Sequence, residues 1–448
     1  MELTLGLIIL TVLTYGLKAP TLRLAMLLAG AVGAAGLLAE SHLLCWTQAI
    51  KMLVMLGGLA ILCMLDHRTS HRSSSLLILL VILGNLLLIG STNLISIYLA
   101  LEMQTLCMFI LVAYNKNSLL SAEAGLKYFV LGALSSGLFL FGCALIYGST
   151  GELELQFIRM SIVSYGTLAG KCLITISLLF KVSAAPFHMW APDVYEGAPT
   201  WVAALLSIVP KLGVLAIIIQ IGLNEMGLLI AGLISLIVGA IGALNQTRIK
   251  RLLAYSGISH MGFVLLGIAI GSIESLQASL MYIGAYIITQ VLLWSVVLII
   301  SPKRDMLIEF SGISRLNPML ALALAIGLLS TAGIPPLIGF LTKWNIILAI
   351  VGQGYYLSAL IALVCSVIAG VYYLRLVKIM FYQPLSTSLV ITNILNFSRG
   401  SVASEETGLG KAILIGVSLY LVLTIIVCPS LFFQLTHLII LDLFPCIF

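Results

Sequence analysis

Five ionisable side chains stand where water does not ordinarily reach. Lys181 sits about ten residues inside the apolar run that begins near Lys171, roughly 15 Å into a ~30 Å hydrocarbon core at 1.5 Å per helical residue. Glu102 in YLALEMQTLC, Lys211 in SIVPKLGV, His260 in YSGISHMGF and Lys343 behind GIPPLIGFLT fall at similar depth. A charge at the bilayer centre costs about 2.5–3.5 kcal/mol on insertion scales, so such residues are seldom kept without a use. Snorkelling does not account for Lys181, because its stem is too short to reach the surface from mid-depth. Each residue alone also reads as a polar group paired with a neighbour, and a neutral histidine bonded to a carbonyl would look the same as His260. Together they form a row of acids and bases at one depth, the chemistry of a proton relay.

Two of the five lie beside helix breakers. Pro186 follows Lys181 and removes a backbone donor, while Gly333, Pro335 and Pro336 precede Lys343 and unwind its helix near the centre. Broken helices next to buried charge are how transporters build ion paths.

The elements that hold these residues are read from composition. The chain is 61 % hydrophobic and 8 % charged over 448 residues, and apolar runs of spanning length recur throughout. It reads as an all-α polytopic membrane protein with no separate globular domain. Apolar segments bounded by charges, Gly, Pro or Asn predict about fourteen transmembrane helices. They fall near 3–17, 22–39, 49–65, 75–91, 93–114, 125–148, 168–187, 199–222, 227–245, 252–271, 276–300, 318–349, 356–382 and 411–434. The N-terminal stretch carries Glu2 where a signal peptide would be basic, and reads as the first span. Loops after odd-numbered spans carry Lys18, Arg23, Arg68, Arg72, Lys116, Arg248, Lys250, Arg251, Lys303, Arg304, Arg315, Lys378, Arg399 and Lys411. Loops after even-numbered spans are neutral or acidic, as at Glu40, Glu152, Glu154, Glu225 and Glu274. The basic side faces the cytoplasm or matrix. Only the acidic Asp193/Glu196 loop breaks the alternation. The net charge of +6 therefore sets orientation and does not indicate nucleic-acid binding. Cys45, Cys63, Cys107, Cys143, Cys172 and Cys365 lie inside apolar segments without CxxC spacing, so neither disulfides nor a metal site is expected.

Lesser candidates sit nearer the surface. Glu123 and Lys127 have the favourable i,i+4 order and read as a surface ion pair or as a coupling element toward a neighbour. Lys250 and Arg251 read as topology anchors, with proton feed from the basic side as the alternative for Lys250. His188, Asp193 and Glu196 read as loop-shaping, with proton guidance as the alternative, and Trp190 and Trp201 suit the membrane interface. The polar stretch from Gln383 to Lys411 reads as a surface loop, and His437 to Phe448 as an interfacial tail.

A weak repeat is visible. The seventh span breaks at Pro186 and the twelfth at Pro335–Pro336; at the same offset the Glu102 span matches the His260 span. An odd offset reverses direction in the membrane, so the halves are expected to be inverted five-helix repeats with helices 7 and 12 broken. The expected division is 1–74 (three leading helices), 75–222 (first repeat), 223–382 (second repeat) and 383–448 (loop, last helix and tail).

FKVSAAPFHMWAPDVYEGAP, NQTRIKRLLAYSGISHMGF, TAGIPPLIGFLTKW and AEAGLKYFVLGALSSGLFLFGCALIYGSTG closely resemble subunit 2 of respiratory complex I, the NADH dehydrogenase subunit 2 family. The resemblance covers residues 75 to 382 well and the ends more loosely. The central part alone also resembles other members of the antiporter-like superfamily. It implies fourteen helices with two inverted five-helix bundles. It further implies that Glu102 is the family's helix-5 glutamate, and that Lys181, Lys211 and Lys343 are its helix-7, helix-8 and helix-12 lysines. His260 matches the helix-10 region and Glu123 a second acid. Such subunits carry no redox centre: NADH, FMN, iron–sulfur clusters and ubiquinone belong to partner subunits, which fits a chain without a Rossmann or cluster-ligand motif. Implied partners are other membrane-arm subunits, neighbouring antiporter-like subunits among them, and lipids. The implied location is the mitochondrial inner membrane, with a bacterial plasma membrane or a plastid thylakoid as alternatives.

The expected mechanism is a Glu102–Lys181 ion pair that closes and opens, with Lys181 passing its proton to Lys211 and onward through His260 to Lys343. Quinone chemistry in partner subunits supplies the energy. Two rivals remain: a subunit of a multi-subunit cation/proton antiporter, and a non-pumping scaffold of the membrane arm.

Overall fold

The structure, a computed structural model, describes residues 46–65, 72–160, 164–222, 225–300, 305–384 and 409–441. The first two predicted spans, the loop charges Lys18, Arg23, Arg68, Lys303, Arg304 and Arg399, most of the 383–411 loop and the end of the tail lie outside them.

Described residues are nearly all helical. The helices are α1 (Trp46–Met64), α2 (Arg72–Ile89), α3 (Leu94–Val112), α4 (Leu119–Thr150), α5 (Leu155–Met160), α6 (Tyr165–Val182), α7 (Trp190–Gly197), α8 (Thr200–Ile221), α9 (Glu225–Leu244), α10 (Ile249–Ile270), α11 (Ile273–Ile300), α12 (Ile313–Leu316), α13 (Pro318–Ala332), α14 (Ile338–Gly352), α15 (Tyr356–Tyr382), α16 (Leu409–Val427) and α17 (Pro429–Leu441). Ten of them are long and apolar enough to cross a membrane, and four more are apolar but shorter. The predicted 411–434 span is corrected: it ends at Val427, and α17 starts at Pro429, where proline lacks the backbone donor that would continue the helix.

The molecule is built around α8. Apart from Ser207 and Lys211 its central turns are apolar on every side, and a helix of that kind belongs in an interior. It is enclosed by α1, α2, α6, α7, α10 and α11. Without a hydrophobic driving force between helices in lipid, close approach depends on small residues. Gly142 of α4 and Gly170 of α6 face each other so tightly that a Cβ on either would lie within 2.9 Å of the other's carbonyl oxygen. The outermost helices, α4, α15 and α16, expose Leu, Val and Phe side chains instead.

Two backbone devices recur in the two halves of the chain. The start of α3 pairs with the stretch before α5, where Leu94 N–H donates to Leu153 and Leu155 N–H to Thr92. The start of α10 pairs with the stretch after α11 in the same way, Ile249 N–H donating to Asp305 and Leu307 N–H to Thr247. The helix breaks match as well. Ser183 (φ 65°) ends α6 and Gly333 (φ 85°) ends α13, both left-handed. The next residue of each, Ala184 and Ile334, donates back to Leu179 and Leu329, the six-to-one bond of a Schellman cap. One spacing separates Leu179 from Leu329, Ser183 from Gly333 and Pro186 from Pro336.

Candidate functional site

Lys211 projects from the enclosed helix α8, directly after Pro210, which leaves the preceding turn one helical bond short. Its side chain is 3 % exposed. The ammonium lies 5.9 Å from the ring centre of Tyr195 and 5.9 Å from that of Tyr286, where ring faces attract a cation. Gly257 of α10 leaves the room it needs: a Cβ there would stand 3.2 Å from Nζ and 3.4 Å from the Tyr286 hydroxyl.

One turn along α10, His260 is buried with a tyrosine at each nitrogen. Nδ1 lies 2.7 Å from the Tyr282 hydroxyl and Nε2 3.3 Å from the Tyr373 hydroxyl. The imidazole centre is also 5.5 Å from the Tyr286 ring. Tyr286 therefore adjoins Lys211 on one side and His260 on the other.

Lys343 sits on the second half of the second broken helix. Its ammonium donates to the carbonyls of Thr331 and Ala332, each at 2.8 Å, and lies 5.7 Å from the Phe263 ring centre. Those carbonyls end α13, where a helix has spare acceptors and negative partial charge. A cavity of about 10 Å³ joins Lys343 to His260, lined also by Tyr282, Tyr286, Thr331 and Thr342; it is large enough for about one water. Lys211, His260 and Lys343 thus form one contiguous buried row.

Glu102 and Lys181 lie outside this row, and both are only half-buried. Lys181 is the penultimate residue of α6 and is within electrostatic range of Glu102 on α3. They make no ion-pair contact, so the expected pair is open here. The breaks are also not used alike. Lys181 precedes its break and Lys343 follows its own. At the first break the donor that reaches back is Trp190, whose indole N–H bonds the Phe180 carbonyl at 2.9 Å. Trp190 is accordingly 3 % exposed and stacked on Tyr128, packed inside the protein.

The lesser candidates gather elsewhere, in a half-exposed network. Lys127 pairs with Glu123 at 2.7 Å and with Asp193 at 2.8 Å. Arg251 reaches Asp193 at 3.4 Å and Glu196 at 3.1 Å, and Glu196 also accepts from Arg248. Asp193 and Glu196 are thus the counter-charges of the basic side, which is why their loop departs from the alternation. Lys250 is buried, paired with Asp305 at 2.9 Å and donating to the Ala198 carbonyl at 3.1 Å. It is an anchor tying α10 to the loops on both sides, and it is not part of the row.

The tyrosines are what sequence reasoning missed. A search for charges passes over phenols, yet Tyr282 and Tyr286 are spaced i,i+4 on one apolar helix, hence on one face. A tyrosine buried in such a helix needs a partner for its hydroxyl. Among the described residues, no group of three His, Cys, Asp or Glu is placed to hold a metal ion.

Comparison with known proteins gives this row a context. The family described as "NADH:quinone oxidoreductase/Mrp antiporter, TM" matches residues 91–369, and the one described as "NADH dehydrogenase subunit 2 N-terminal" matches residues 1–88. NADH-ubiquinone oxidoreductase chain 2 of Metridium senile is 51 % identical over 380 residues, 82 % of this chain and 97 % of that protein. The chain belongs to the NADH dehydrogenase subunit 2 family. NADH-quinone oxidoreductase subunit N of Pelagibacter ubique is 40 % identical over 353 residues, 75 % of each chain. A chain of respiratory complex I from Thermus thermophilus with bound aureothin superposes with a TM-score of 0.83 at 29 % identity, covering 97 % of this chain and 99 % of that one. Family members are multi-pass membrane proteins, and the fold of this chain follows the Thermus chain along almost its whole length.

Proposed function

We propose that this chain is a proton-translocating membrane-arm subunit of a respiratory NADH:quinone oxidoreductase, in the mitochondrial inner membrane or a bacterial plasma membrane. Glu102, Lys181, Lys211, His260 and Lys343 carry the proton. The reading rests chiefly on one observation: Lys211, His260 and Lys343, all buried, adjoin one another through Tyr286 and a water-sized cavity. A scaffold gains nothing from two buried lysines and a histidine at that cost in desolvation.

The chain's own residues do electrostatic work. Closing Glu102 on Lys181 stabilises the protonated lysine; opening the pair withdraws that support. A proton released there moves to Lys211, on to His260 past Tyr286, and to Lys343, which the α13 carbonyls hold ready. The breaks at Ser183 and Gly333 supply spare backbone groups beside the path. NADH oxidation and quinone reduction belong to partner subunits, and this chain supplies no redox group. The match to the NADH dehydrogenase N-terminal family favours this reading over a cation/proton antiporter subunit.

The test is proton translocation by the assembled complex in sealed vesicles. Lys211→Met is expected to leave NADH oxidation measurable but to lower protons moved per NADH. Full stoichiometry in that variant would remove Lys211 from the path.

A further inference from the structure

His260 is the one relay group that needs two distinct faces, because a neutral imidazole accepts at one nitrogen and donates at the other. The structure gives those faces unequal partners. The Tyr282 hydroxyl is 2.7 Å from Nδ1, a short contact, whereas the Tyr373 hydroxyl is 3.3 Å from Nε2, at the long end of hydrogen bonding. A phenol is a better donor than acceptor, and an unprotonated imidazole nitrogen is a strong acceptor. The short contact is therefore best made with Tyr282 donating to Nδ1. That leaves the imidazole proton on Nε2, facing Tyr373.

The Tyr373 hydroxyl lies beside Thr331, whose carbonyl accepts from Lys343, while Tyr282 lines the small cavity between His260 and Lys343. Tyr282 is fixed independently of the histidine: its ring stacks on Phe263 with centroids 5.6 Å apart. All three groups are buried, so solvent does not compete for either nitrogen.

We infer that Tyr282 is a positioning residue, whose hydroxyl locks His260 in the Nε2–H tautomer and so aims its transferable proton at Tyr373 and Lys343. Tyr282 does not itself carry the proton. Without its hydroxyl, Nδ1 has no fixed donor, both tautomers become accessible, and only one presents its proton to Tyr373 and so to the Thr331 contact with Lys343.

The inference rests on His260 being in the relay, and a double-mutant cycle separates the two claims. Proton translocation per NADH and its pH profile are measured for the assembled complex in vesicles carrying Tyr282→Phe, His260→Gln, or both. The expected result is a several-fold loss with a displaced pH profile for Tyr282→Phe, a larger loss for His260→Gln, and a double variant no worse than His260→Gln alone. Normal pumping by His260→Gln would overturn the relay role of the histidine itself. Normal pumping by Tyr282→Phe beside an impaired His260→Gln would overturn the positioning role alone. Additive losses would do the same, since Tyr282 would then act independently of the histidine. Failure of Tyr282→Phe to assemble would make the hydroxyl structural and also refute the inference. Tyr282→His, which restores a donor, is expected to recover part of the loss.

Discussion

The Lys343 ammonium donates to the Thr331 carbonyl at 2.8 Å, across the break between α13 and α14. One half of a broken helix thereby caps the other with a group that can also give up a proton. At the first break the same reach is made by the Trp190 indole, which cannot. The two repeats share a backbone and divide the chemistry differently.

Lys343→Met is accordingly expected to have two effects. Proton translocation falls, and the complex loses stability, because the Thr331 and Ala332 carbonyls keep their burial without their donor, at about 1–3 kcal/mol per orphaned group. Lys343→Arg restores a permanent cation that cannot deprotonate. It should recover thermal stability, read by melting of the assembled complex, while leaving pumping impaired. Recovery of both would make the lysine a cap only.

Gly257 predicts a graded response. A methyl in Gly257→Ala would stand 3.2 Å from Lys211 Nζ and 3.4 Å from the Tyr286 hydroxyl, tight but tolerable if the flexible amine yields. Assembly should be normal and proton translocation reduced. Gly257→Val, with its branched side chain, should abolish translocation. Equal, full stoichiometry in both variants would show that the gap between Lys211 and α10 is not on the path.

Much of this arrangement was legible in the sequence, for definite reasons. Charge inside an apolar run is conspicuous, so Glu102, Lys181, Lys211, His260 and Lys343 stood out, and prolines marked both breaks. Partnerships were not legible. Periodicity could not tell that Tyr282 faces Nδ1 of His260, because that contact crosses from α10 to α11. Nor could it tell that Asp193 and Glu196 belong with Lys127, Arg248 and Arg251, which are far off in the chain. Nor was the Trp190 bond to the Phe180 carbonyl legible, because it crosses a helix break. Pro429 was missed because the apolar run continues across it.

Lys250 separates anchoring from transport. Its partner Asp305 is carried on a left-handed residue (φ 55°) beside the start of α10. Removing one member of a fully buried ion pair costs about 3–5 kcal/mol, because the other is left uncompensated; Asp305 is 23 % exposed, so the cost here is smaller. Lys250→Ala should therefore lower the amount of assembled complex on native gels, and Lys250→Ala with Asp305→Ala should recover part of it. Complex that does assemble should move protons at the normal ratio. A lowered ratio in the double variant would place Lys250 on the proton path.

Gly339 provides a test of the break itself. It precedes Lys343 by one turn on the same face of α14, and an added Cβ would collide with the Ser330 carbonyl oxygen. That oxygen belongs to the backbone of α13, so the clash has no flexible side chain to absorb it. Gly339→Ala must push α14 away from α13 and draw the Lys343 ammonium off its two carbonyls. Overpacking of this kind costs about 1–3 kcal/mol, and here the functional loss should exceed the stability loss. Gly352→Ala is the control at the far end of the same helix, where a Cβ meets nothing within 4 Å. It should be neutral or slightly stabilising, because alanine is the better helix former. Measuring melting temperature and protons per NADH for both variants isolates the contact between the half-helices. If Gly339→Ala pumps normally, the row tolerates separation of α13 from α14, and Lys343 does not depend on the end of α13 for its work.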